Sequence, residues 1–196
     1  MRETLVTAPE VEPVTLDTLK THLRIGSDDT EHALIALMGR AARQHAESYC
    51  HSAFITQRWA LVLDRFPGHV VHLPRGPVQS IDSIVYLDMG GNEQTITAPA
   101  RPDFAIDLSD GCARIAPGFG RTWPETLPEL GAVRINFTAG YGDDADDVPE
   151  GIRHWIMLRV NTVFENREEA AVMQRGSVSA LPHVDRLLDP YRFIAV

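Results

Sequence analysis

The chain has 196 residues, 44% of them hydrophobic, and a formal net charge of -9. That size allows one sizeable buried core, or one core plus a small satellite, and a single domain is expected; its apolar runs are only a few residues long, too short for a membrane span. The acidic balance excludes a protein that grips duplex DNA, because such a protein needs a basic face to neutralise phosphates. Met1-Arg2-Glu3-Thr4 lacks the basic-then-apolar pattern of a secretory signal, so a soluble protein made in the cytosol is expected.

Residues 1–14, ending in Pro9-Glu10-Val11-Glu12-Pro13, read as an extended arm. Thr15 can cap a short helix over 15–25, with Leu16, Leu19 and Leu23 on one stripe and Gly26 ending it. Asp28 and Glu31 have the spacing of a capping box. Leu34, Leu37, Met38, Ala41, His45 and Tyr49 then form the predicted face of a long helix over 28–50. From Phe54 the period changes to two: Ile55, Gln57, Trp59, Leu61 and Leu63 alternate with Thr56, Arg58, Ala60 and Val62. A β region follows over 53–140, with further strands at 69–73, 81–87, 94–97, 104–107 and 112–116, and a last one from Val133. Its turns are Pro67-Gly68, Pro74-Arg75-Gly76-Pro77, Gly90-Gly91-Asn92 and Asp110-Gly111, the last two closing hairpins.

The last strand carries Val133, Ile135 and Phe137 on one face and Arg134, Asn136 and Thr138 on the other. Gly140 and Gly142 allow a sharp exit, and Asp143 to Asp147 form a solvated acidic loop. Asp147 is placed as an N-cap with Glu150 as its partner, and Pro149 suits the first turn. The helix over 148–167 should bury Ile152, Trp155, Ile156, Val160, Val163 and Phe164, fading after Arg167-Glu168-Glu169. Beyond it lie a weak short helix near 184–188 and the stop at Pro190. The fold class is therefore α+β: a small helical bundle of two N-terminal helices and one long C-terminal helix, with an inserted antiparallel β region.

No segment arranges a nucleophile, a base and an orienting group, so no catalytic residue is assigned. His69-x-x-His72 on a strand places the two rings on opposite faces, and both are read as surface histidines rather than metal ligands. Cys50 and Cys112 lack paired spacing and read as buried thiols, and Cys50-His51 is no catalytic pair because neighbours point apart. The Asp143 to Asp147 run lacks the pattern of a calcium loop, and Gly118-Phe119-Gly120 and Gly140-Tyr141-Gly142 are turns rather than phosphate cradles. Arg75 is read as an exposed loop arginine. No cofactor, metal or membrane partner is expected. A competing reading is a monomeric β-rich ligand-binding module or hydrolase, with a cleft around Trp59, His69, His72 and Trp123.

Several segments together resemble the tailed-phage head-tail connector, or adaptor, proteins of the gp6-like kind, which also occur in prophages and gene transfer agents. They are Val14 to Ile25, Ala41 to Tyr49, Phe54 to Trp59, Leu73 to Val78, Phe137 to Gly142 and Val148 through Glu165. The resemblance implies a structural protein: a twelve-fold ring beneath the portal of a phage-like particle, extending the DNA channel and joining head to tail. Its implied partners are its own copies, the portal protein and a tail-side connector or stopper, with DNA passing unbound. A connector domain over 15–168 would then be followed by a docking tail over 169–196. The portal contact would fall on Leu187, Leu188, Asp189, Pro190, Tyr191, Arg192 and Phe193. A ring needs two different faces of each subunit to meet. The alanine-rich face of the second helix, with Leu34, Met38, Ala41, Ala42 and His45, is the candidate for one of them.

Overall fold

A computed structural model describes residues 1–26, 31–97, 99, 103–108, 113–165 and 185–193. Among the described residues it is a mixed α+β chain with three α-helices and antiparallel sheets, in the order β1 (Arg2–Thr7), α1 (Leu16–Leu23), α2 (His32–Cys50), β2 (Gln57–Leu63), β3 (Val71–His72), β4 (Val78–Leu87), β5 (Glu93–Thr97), β6 (Phe104–Asp107), β7 (Arg114–Pro117), β8 (Val133–Ala139) and α3 (Glu150–Glu165). Two compact units result. The β unit contains Met1–Glu10, His51–Tyr141 and Phe193, and the helical unit contains Val11–Cys50 with the described residues 142–165 and 185–192.

The β unit has a five-stranded sheet in the order β1-β2-β8-β4-β5 and a three-stranded sheet in the order β3-β7-β6. Central β8 alternates as its sequence demands, with Val133, Ile135, Phe137 and Ala139 fully buried. They join Leu61, Leu73, Ile84, Phe104 and Ile115 in one apolar cluster drawn from both sheets. At the end of β8 the backbone of Gly140 lies against β2's approach: a Cβ there would stand 2.6 Å from Ile55 C and Thr56 N. With φ at +146°, only glycine suits this position.

Residues 1–14 fold differently from the expected extended arm. Arg2–Thr7 are not a free arm but an edge strand, paired antiparallel with β2 from Arg2 opposite Val62 to Leu5 opposite Trp59. The β region is thus not wholly an insertion, because its sheet begins before α1. Arg75, expected to be an exposed loop arginine, is 6% exposed. Its guanidinium sits 4.0 Å above the Trp59 ring, and it donates to Ser52 O and to Glu3 Oε1, both at 2.8 Å. Trp59, Ser52 and Glu3 thus engage this side chain, and a pattern read as a surface loop is part of the packing.

In the helical unit Thr15 caps α1 as expected, accepting from Thr18 N at 3.2 Å. The C-cap is Arg24 in the left-handed region, not Gly26. Leu19 is buried against α2, where a Cβ on Gly39 would come within 3.0 Å of it. The expected capping box at Asp28 lies outside the described residues. So do Cys112, the Asp110-Gly111 turn and residues 166–169, where the helix was expected to fade. Asp147 does not cap α3. Its Oδ2 accepts from Asp144 N at 3.0 Å around a 3-10 turn over Ala145–Asp147, and it folds over Gly142, where any Cβ would clash with it. Arg153 Nη1 reaches back to Asp146 Oδ1 at 2.6 Å, so the acidic loop is ordered by its own contacts. In α3, Ile152, Trp155, Ile156 and Val160 are buried, as the periodicity implied, while Val163 is exposed.

Candidate functional site

The predicted face of α2 is rotated from the real one. Buried residues are Ile35, Gly39, Ala42, Arg43, Ala46, Glu47 and Cys50. Leu37, Ala41 and His45 are exposed, and Leu34 and Met38 are half-buried. Of the five proposed interface residues, Ala42 is therefore used up in the chain's own core, while the other four keep accessible surface. His45 lies flat against Trp155, with ring centroids 5.9 Å apart. The shift arises from a charged pair that periodicity assigns to water. Arg43 Nη1 donates to Glu47 Oε2 at 2.6 Å and Arg43 Nε to Glu12 Oε2 at 2.8 Å, with Arg43 and Glu47 both buried. Burial alone would lower the Arg43 pKa, but the Glu47 and Glu12 carboxylates outweigh it and hold the guanidinium above its ordinary value. The one legible signal was the i, i+4 spacing of Arg43 and Glu47.

The C-terminal segment also departs from the expected free tail. Far from lacking an element to pack on, residues 185–192 clasp the helical unit. Leu188 is 1% exposed and its carbonyl faces Cys50 Sγ at 3.8 Å. Tyr49 donates its hydroxyl to Asp189 Oδ1 at 2.9 Å, which raises the Tyr49 pKa, and Arg192 lies 4.8 Å from the Tyr49 ring. Trp155 Nε1 donates to Asp185 Oδ1 at 3.3 Å, and Tyr191 fills the space over Gly151. Asp189, Pro190 and Arg192 remain exposed, with Leu187, Tyr191 and Phe193 half-buried. Burial pushes the Cys50 thiol up to about 11, which fits an inert buried cysteine.

Of the four expected ligand-cleft residues, Trp123 and His69 come together. Trp123 stacks on Phe66 at 4.5 Å and donates Nε1 to His69 O at 2.9 Å, whereas Trp59 lies beneath Arg75. His72 lines a separate, mostly apolar cleft of about 610 Å³ with Met1, Leu61, Leu63, Pro67 and Val70. Among the described residues no group of three or more His, Cys, Asp or Glu side chains could hold a metal ion, and no helix is long and apolar enough to cross a membrane.

Among the described residues the fold is a three-helix unit and an antiparallel β unit, each with its own buried side chains. More particularly, residues 13–88 match the family model described as phage gp6-like head-tail connector protein. A chain in the neck of an empty GTA particle computed with C6 symmetry is 25% identical. It covers 100% of this chain and 97% of its own length, with a TM-score of 0.80. Chains in the virion of the native gene transfer agent (GTA) particle and in the neck of the native particle computed with C12 symmetry cover the same shares. They are 23% and 24% identical, with TM-scores of 0.74 and 0.70, and show the common fold. No curated protein matches the chain. The family match and these neighbours are structural particle components rather than enzymes.

Proposed function

We propose that this chain is a structural head-tail connector subunit of a phage-like particle, located at the head-tail junction and acting by assembly rather than turnover. The observation that carries the reading is the whole-chain likeness to a GTA neck subunit, joined to the gp6-like match over residues 13–88. Neck particles computed with C6 and C12 symmetry support a ring of copies, and a twelve-fold ring is the finer form of the proposal. The ring would sit beneath a portal protein and above a tail-side connector or stopper, and DNA would pass through it. The net charge of -9 suits a channel that repels the duplex and lets it slide, because a basic ring would hold it through many phosphate contacts.

Portal docking would fall on the accessible part of the C-terminal segment, Leu187, Asp189, Pro190, Tyr191, Arg192 and Phe193. Leu188 anchors that segment to its own helices instead. Light scattering and negative-stain imaging of the purified chain, alone and mixed with portal, test the reading: rings or a co-sedimenting complex are expected. A persistent monomer that ignores portal overturns it. Because deleting residues 187–196 would strip Leu188 from the core, docking is better tested with Leu187→Ser and Phe193→Ser. Folding should survive and portal attachment should fall; undiminished attachment rules the segment out.

A further inference from the structure

The five-stranded sheet ends in two edges that no strand covers among the described residues, β1 on one side and β5 on the other. All six residues of β1 are exposed, including Leu5 at 42% and Val6 at 60%, and β5 is exposed except for half-buried Ile96. Unpaired strand edges present rows of N–H and C=O groups that readily pair with another chain. The four pairings linking β1 to β5 are all antiparallel, so the two edge strands run the same way.

We infer that β1 of one copy pairs in parallel with β5 of the next, joining neighbouring β units into a continuous belt. This rests on the ring reading above and supplies its subunit interface. A second copy is the occupant because the two edges complement each other in one register. Setting Leu5 beside Ile96 also sets Arg2 beside Glu93, Glu3 beside Gln94 and Thr4 beside Thr95. It matches opposite charges, two threonines and two aliphatic side chains, each a favourable neighbour across a ladder.

The faces agree as well. Leu5 is opposite Trp59 and Trp59 opposite Phe137; Ile135, on Phe137's side of β8, is opposite Ile84, and Ile84 is opposite Ile96. Leu5 and Ile96 therefore belong to the same face of the sheet, and no strand needs to turn over. The register irregularity between Leu5 and Thr7 marks where this ladder would stop. The contact is heterologous, since β1 meets β5 and never itself, which is the condition for a ring rather than a two-fold dimer.

The test is the full chain carrying Thr4→Cys and Thr95→Cys together, with each single variant and the native-cysteine chain as controls, oxidised mildly under assembling conditions. A ladder of covalent multimers from the double variant alone is expected. In addition, Leu5→Lys should raise the concentration for half-assembly at least tenfold without changing the circular dichroism of the free subunit. Rings seen in micrographs without a ladder overturn the edge pairing while leaving the ring reading intact. Covalent dimers from Thr4→Cys alone overturn it in favour of a β1 to β1 two-fold contact. Absence of any assembly, with or without portal, removes both.

Discussion

In the β unit the central strands satisfy one another's backbone groups and bury a continuous apolar cluster, so that charged side chains such as Arg75 and Glu3 serve mainly to fasten the edge strand. The helical unit is built the other way round. Each helix satisfies its own backbone, and what brings α1, α2, α3 and the C-terminal segment together is side chains: the Arg43, Glu47 and Glu12 cluster, Leu19 against Gly39, and the clasp around Leu188. A sheet tolerates surface changes but not altered backbone spacing, whereas a small bundle depends on a few buried side chains, each carrying a large share of the total.

The largest expected effect breaks the backbone side of that contrast. Gly140→Ala forces a Cβ to within 2.6 Å of the backbone at Ile55 and Thr56 at a positive φ, and should destabilise the β unit by on the order of 4 kcal/mol, read by urea unfolding. Arg43→Met comes next in the helical unit. It leaves Glu47 buried without its cation and should lower stability by about 3–4 kcal/mol, while Arg43→Met with Glu47→Leu should recover most of the loss. If the single variant is neutral, the bundle does not depend on this cluster.

Leu188→Ala tests whether the C-terminal segment is core or tail. A loss of about 2–3 kcal/mol marks it as core, and an unchanged unfolding midpoint would return it to the status of a free tail. The smallest effect concerns Cys50. With its thiol raised to about 11 by burial, alkylation at pH 8 followed by peptide mass spectrometry should proceed roughly 100-fold more slowly than for a free cysteine. The sign is fixed: a thiol whose folded pKa lies above its ordinary value of 9 leaves stability intact below pH 9 and erodes it as pH rises toward 11.

Much of this architecture was legible in the sequence because periodicity and capping are local. β6 and β8 fall where the alternation placed them, Thr15 caps α1, and Ile152, Trp155, Ile156 and Val160 form the buried side of α3. The turn at Gly140 was visible too, although the reason for its glycine is a neighbouring strand. The candidate surfaces were harder to read. α2 was rotated away from its apparent face because Arg43 and Glu47, which hydropathy sends to water, neutralise each other in the interior with help from Glu12, a residue 31 positions away from Arg43.

The order of helices and strands from α1 onward, the acidic balance and the resemblance carried by its segments were therefore legible in the sequence, since each depends on residues near one another in the chain or on composition. Long-range packing makes residues 2–7 a sheet edge, buries Arg75 over Trp59 and places Leu188 in the core. In each case the deciding partner lies dozens of residues or more away, at Val62, Glu3 or Cys50. Whether a polar or terminal residue is packed or free depends on the partner that folding brings to it.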